Sequence, residues 1–239
     1  EGNGFVYNPG ERTLGTTTPL YTLLLTGLAL LTGSRDFAAI GLIVNALAGG
    51  LSASLLFILC KHLIGHLFPA AAIALLWAVT PHSVTFAIGG METDLAIGLL
   101  IATCYAHVTG RPWVMAILSA LALLARPDTA ILLGPLWLDL VLAERRVPWR
   151  AGLITLAILA PWLVFGMLYF GSPLTASIGA KSITYRLPPD ANLIRLLQHY
   201  ATPFFETESL PPAGVVAAFA IYCGLFALGS LSAYKRNRR

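Results

Sequence analysis

Four stretches of this sequence carry residue types able to do polar chemistry. The first twenty residues hold Asn8, Glu11, Arg12 and the run Thr16-Thr17-Thr18 among four glycines. Residues 81–94 hold Glu92 and Asp94 beside the Gly89-Gly90 pair. Arg126 and Asp128 flank Pro127, and the long stretch 171–212 holds Lys181 and Arg186. Carboxylates among hydroxyl and amide groups can take a proton from an acceptor hydroxyl, and Lys or Arg can hold an anionic head group. Each cluster also has a plainer reading. Thr18 can cap a helix with Pro19 at its first position. Glu92 and Asp94 can cap the helix that follows them, since carboxylates favour helix N-termini. Arg126 can be a snorkelling flank, and Lys181 and Arg186 can be solvated loop charges.

The chain that must position these groups is mostly hydrocarbon-soluble. Of 239 residues, 57% are hydrophobic and only 11% charged, against about 25% charged in soluble domains. The mean hydropathy is +0.77. These figures describe an integral membrane protein. The net charge of +4 does not point to nucleic acid, because Lys235, Arg236, Arg238 and Arg239 form a tail directly after an apolar run, as a cytoplasmic membrane flank does. Cys60, Cys104 and Cys223 sit inside apolar runs without paired spacing and read as buried small hydrophobes. His62 and His66 have helical i, i+4 spacing but no third ligand nearby, so they read as membrane-flank histidines.

Eight apolar runs are legible, at 19–33, 37–60, 63–80, 95–108, 112–125, 129–143, 151–170 and 213–234. Runs 37–60, 151–170 and 213–234 have full span length, against about 20 residues needed to cross a bilayer. No strand alternation is present, so the fold expected is all-α, a polytopic bundle of about seven to eight apolar helices. The whole of 1–239 reads as one transmembrane domain. Residues 81–94 and 171–212 read as the longer connections, the latter with a short amphipathic helix at 192–200. Asp139 reads as a helix-end residue paired with Arg145 or Arg146. The basic flanks around Arg145 to Arg150 and at the C-terminus are assigned to the cytoplasm. Alternation then puts 171–212, 81–94 and the Arg126–Asp128 step outside. It also puts 1–18 inside, in conflict with a shared polar site. The short run 19–33, ~22 Å as a helix, is therefore expected not to complete a crossing.

Four pieces in order resemble one family. Gly2 to Tyr21 (GNGFVYNPGERTLGTTTPLY), Gly89-Gly90-Met91-Glu92-Thr93, Leu124-Ala125-Arg126-Pro127-Asp128, and Tyr169-Phe170-Gly171-Ser172-Pro173 with Ala180-Lys181 are similar to segments of bacterial membrane glycosyltransferases of the GT-C superfamily. The likeness is to the branch of arabinofuranosyl- and mannosyl-transferase-like proteins. The third piece departs from the family pattern, with Asp128 where Glu is expected. The resemblance implies transfer of a sugar from a polyprenyl-phosphate donor to an extracytoplasmic glycan, lipid or protein acceptor, in a bacterial plasma membrane. It makes 1–18 the end of a first extracytoplasmic loop and 171–212 a second. It also implies a catalytic acid upstream of Glu1, which makes this chain an N-terminally truncated piece. Lys181, Arg126 and Arg186 are then candidates for the carrier phosphate, and Asp128 for substrate binding. Glu11 and Glu92 are auxiliary catalytic candidates, and Asn8 and Arg12 candidates for sugar or acceptor contacts. A divalent metal suits the chemistry, but no spacing demands one. Membrane lipids are partners on this reading, and nucleic acid is not. Two other readings stand beside it: a secondary transporter or flippase, and a polyprenyl-linked glycan polymerase or ligase subunit.

Overall fold

The computed structural model describes residues 14–172, 188, 191 and 212–237. Among them every regular element is helical: α1 (Pro19–Thr32), α2 (Phe37–Ile64), α3 (Leu67–Val79), α4 (Pro81–Ile88), α5 (Thr93–Val108), α6 (Pro112–Ala125), a 3-10 turn (Pro127–Thr129), α7 (Ala130–Glu144), α8 (Trp149–Phe170) and α9 (Pro212–Asn237). Two compact units are distinguished, one comprising Glu1–Val79 with Ser83–Thr184, the other Thr80–His82 with Tyr185–Arg239. The second contributes α9, a 26-residue helix that exposes Val216, Leu225 and Phe226 along its length. Cys223 lies on that exposed surface rather than in a core, and Cys60 and Cys104 are half-buried. The expectation of three buried cysteines therefore fails at Cys223.

Proline and glycine set most of the helix ends. Pro19 and Pro112 open α1 and α6, where the missing N–H costs nothing. Gly33, Gly65 and Gly171 end α1, α2 and α8 in the left-handed conformation, which glycine adopts without strain. Asp36 caps α2, its Oδ1 accepting the Ala39 N–H at 3.0 Å. Thr18 stands at the N-cap of α1 but makes no capping bond. Its N–H instead donates to Thr16 Oγ1 at 3.1 Å.

Two sequence expectations are corrected here. The charged step Lys61-His62 does not divide two helices, since α2 runs through it to Ile64. Residues 81–94 are not all connection, because Pro81–Ile88 forms α4, bent 54° from α3. Proline at the first helical position lets a new helix start directly after the break. Of the eight expected runs, α2 with 28 residues and α8 with 22 are long and apolar enough to cross a membrane. The bent pair α3–α4 makes a third if it counts as one broken span. Helices α1, α5 and α6, with 14, 16 and 14 residues, fall short of that length.

The interior of the first unit is built from small residues. Ala70, Ala96, Ala116, Ala120 and Ala122 are buried, while Leu30, Leu31, Phe68, Ile131 and Leu168 point outward. This inversion suits a bundle whose outside meets hydrocarbon, where close backbone approach and dispersion hold the helices together. α2 packs on α3 and α5, and α6 packs on α5 and α8. The α2–α5 seam is especially tight. A Cβ on Gly49 would sit 3.3 Å from the Asp94 carboxylate, and one on Gly98 would sit 2.8 Å from Ser52 Oγ. Ser52 Oγ spans the seam, donating to Ala48 O at 2.7 Å or Asp94 O at 3.2 Å. Across α6, Thr155 Oγ1 donates to Ala116 O at 3.0 Å and Trp137 Nε1 to Ser119 Oγ at 3.1 Å.

Candidate functional site

The site forms where the C-terminus of α6, the turn before α5 and the entry to α1 meet. Arg126 leaves α6 with extended backbone, φ −155° and ψ 122°, as expected of a residue that precedes proline. Pro127 then opens the 3-10 turn, which brings Asp128 back beside the Arg126 side chain. The guanidinium meets this carboxylate with two parallel bonds, Nε to Oδ1 at 3.0 Å and Nη2 to Oδ2 at 2.7 Å. Its remaining edge reaches across to the turn before α5. Nη1 lies 3.3 Å from Glu92 Oε1 and 3.3 Å from Thr93 Oγ1.

That turn is itself fixed from two sides. Gly90 takes φ +66°, a conformation that glycine allows at this tight reversal. Its carbonyl accepts the Tyr21 hydroxyl at 3.0 Å, which ties α1 to the turn. Gly41 of α2 has no side chain to keep them apart, and a Cβ there would sit 3.3 Å from Tyr21 Oη.

Together these groups line a cleft of about 280 Å³, bounded by Thr17, Thr18, Met91, Glu92, Arg126 and Asp128. Glu92 is nearly buried at 15% exposure, Arg126 stands at 32% and Asp128 at 55%. One guanidinium and two carboxylates leave the cluster with a formal charge of −1. The hydrogen bonds to Asp128 raise the Arg126 pKa above its ordinary value, against the opposing effect of burial, so the cation persists at any working pH. The arrangement holds two carboxylates in fixed orientation beside threonine hydroxyls. Such a surface accepts hydrogen bonds from hydroxyl-rich ligands and repels anions.

Of the residues singled out from sequence, Glu92, Arg126 and Asp128 come together. Asn8, Glu11, Arg12, Lys181 and Arg186 lie outside the described residues, as does the helix expected at 192–200. Glu92 occupies the N-cap position of α5 but makes no capping bond, because its carboxylate is turned to Arg126. Asp94, the other expected cap, is 2% exposed and faces Gly49 of α2, with Oδ2 lacking a hydrogen-bond partner. Asn45, on the same strip of α2 as Gly41 and Gly49, is fully buried with its amide facing the Tyr21 hydroxyl. Sequence reasoning gave no role to Tyr21 or Thr93, though each closes a quoted segment, and missed Asn45. An amide inside an apolar run was the available signal for Asn45.

Asp139 does not pair with Arg145 or Arg146. Its carboxylate lies 2.8 Å from Nε2 of His107, at the other end of α5. Arg145 lies beyond the end of α7 in the left-handed region, φ 51°, and the chain turns away there. Among the described residues, no three His, Cys, Asp or Glu side chains gather as a metal site requires. No protein family, curated protein or solved structure matches this chain.

Proposed function

We propose that the protein is a multi-pass membrane glycosyltransferase. It moves a sugar from a polyprenyl-phosphate donor to a glycan, lipid or protein acceptor on the outer face of a bacterial plasma membrane. On this reading seven to eight apolar segments lie in the bilayer, the shorter ones as tilted or partly inserted helices. The observation that carries the reading is the convergence of Glu92 and Asp128 on one guanidinium at the mouth of a threonine-lined cleft. In transfer, the acceptor oxygen bonds to the anomeric carbon as the bond to the carrier phosphate breaks, and a carboxylate takes the acceptor proton. Glu92 is the auxiliary carboxylate for this step, and Asp128 binds sugar hydroxyls. The cluster's negative charge alters the role of Arg126. Its fork is filled by carboxylates, so it orients them, and the carrier phosphate falls to Lys181 and Arg186.

The test uses Thr17→Cys with the three native cysteines replaced, in native membranes. A polyprenyl-phosphate mannose or arabinofuranose should slow maleimide labelling of this cysteine by about tenfold. The bare polyprenyl phosphate should slow it far less. Equal protection by the bare carrier sinks the sugar assignment.

The transporter reading keeps one supporting feature, the buried Asp94, whose Oδ2 lacks a partner, next to the bent α3–α4 pair. Substrate-dependent accessibility on both membrane faces would favour it over transfer.

A further inference from the structure

The far end of α6 carries a second cleft, chemically the opposite of the first. It measures about 350 Å³ and lies among Trp113 at the start of α6, Glu144 at the end of α7, Arg146 just beyond it, and Trp149 and Arg150 at the start of α8. The two clefts are separated by the 14 residues of α6, ~20 Å at 1.5 Å per residue.

Three features define what fits this second cleft. The first is charge: two arginines and one carboxylate give the lining a formal +1. Neither Arg146 nor Arg150 forms an ion pair among the described residues, so both cations remain for a ligand. The first turns of α6 and α8 also lack side-chain caps, and helix N-termini carry partial positive charge. The second is aromatic placement. Trp113 and Trp149 are 52% and 60% exposed, and the Arg150 guanidinium lies 5.2 Å from the Trp149 ring centre. Indoles left this exposed are at home in the interfacial layer of a bilayer, where the ring meets hydrocarbon and the N–H meets water. The third is the apolar surround. Leu142, Val147 and Leu153 are all exposed next to these residues in the chain, so a ligand here meets cations at one end and hydrocarbon at the other.

We propose that this cleft binds the phosphodiester head group of an anionic glycerophospholipid, in the leaflet opposite to the Arg126 cleft. Two arginines hold the phosphate, and the tryptophans fix the depth of the glycerol region. A soluble anion uses the charge but not the exposed apolar rim, so the lipid is the occupant the surface favours. This inference does not depend on the sugar-transfer reading.

The experiment reconstitutes the full chain in phosphatidylcholine vesicles containing phosphatidylglycerol, with dibrominated chains on one lipid or the other. Tryptophan quenching then gives their relative association constant. For the unmodified protein, phosphatidylglycerol should be preferred about fivefold, or ~1 kcal/mol at 1.36 kcal/mol per decade. Arg146→Gln/Arg150→Gln should bring that preference to about one, with helicity by circular dichroism unchanged. Glu144→Gln, which removes the opposing carboxylate, should raise it, and Arg126→Gln should leave it as it was. Equal association of the two lipids with the unmodified protein overturns the proposal, and so does an unaltered preference in the double variant. If the double variant loses helicity, the Glu144→Gln result decides by itself: no rise overturns the proposal. Inorganic phosphate at millimolar concentration should not relieve quenching. Relief would identify a soluble-anion site and overturn the lipid assignment.

Discussion

Removing the Arg126 cation should destabilise the protein, and removing Glu92 with it should restore part of the loss. The magnitude follows from the geometry. Nη1 and Glu92 Oε1 are 3.3 Å apart, with Glu92 mostly shielded from solvent. The gross attraction is ~5 kcal/mol at an effective dielectric of 20, but desolvation and side-chain ordering cancel most of it, leaving about 1 kcal/mol net. The two bonds to Asp128 are shorter, yet that carboxylate is more than half exposed and adds only about 0.5 kcal/mol after screening. Arg126→Gln therefore loses both contributions and leaves Glu92 poorly solvated without its cation, a total of about 2 kcal/mol. For a chain of this size that is a fall of about 4–8 °C in Tm. In Arg126→Gln/Glu92→Gln the stranded carboxylate is gone, and the fall should shrink by about half, so the double variant loses clearly less than the two single variants together. The assay is tryptophan fluorescence on heating, in one detergent at one ionic strength. If the losses of the two single variants simply add in the double variant, Glu92 and Arg126 are not coupled. The cleft's carboxylates would then not be oriented by this guanidinium.

Two further outcomes test how the site is held. Tyr21→Phe removes the hydroxyl that ties α1 to the Gly90 carbonyl; the expected cost is about 1 kcal/mol, read as a lower Tm. Gly98→Ala places a methyl against Ser52 Oγ across the tight seam and should cost about 1–3 kcal/mol. Adding Ser52→Ala to it should recover part of that loss, because the atom in conflict is removed, and a double variant less stable than Gly98→Ala alone would show that the hydroxyl bond outweighs the clash.

Most helices were legible because this sequence punctuates them strongly. Pro19, Gly33, Pro112 and Gly171 each mark an end, and each conforms to the backbone its residue type favours. Where charge was used as punctuation instead, the reading failed. Lys61 and His62 do not interrupt hydrogen bonding, so α2 continued to the glycine that could take φ +80°. Helix α4 was hidden because it is only eight residues long and its His, Ser and Thr make it read as part of a polar connection. The cluster of Glu92, Arg126 and Asp128 was legible as a set of candidates because charges inside so apolar a chain are costly and few. Their mutual arrangement was not. Whether Arg126 met a phosphate or two carboxylates depends on which face of α5 the turn at Gly90 presents. Asp139 shows the same limit, since His107 is 32 residues away and no local pattern joins them.

The size of the interior residues and the chemistry of the cleft have one cause. A core of alanine, glycine and serine lets α2, α5 and α6 approach more closely than leucine or phenylalanine would permit. Close approach is what brings Glu92, ahead of α5, within reach of an arginine at the end of α6. It is also what lets Tyr21 reach the Gly90 carbonyl past Gly41. The large apolar residues displaced from the core are the ones that face outward, where hydrocarbon solvates them at no cost. In water the same distribution would leave many large apolar side chains exposed. The Glu92–Arg126 contact thus sits at helix ends beside the small-residue seam, where close helix approach and access to water occur together. A change that widens the seam should loosen the Glu92–Arg126 contact without touching either residue.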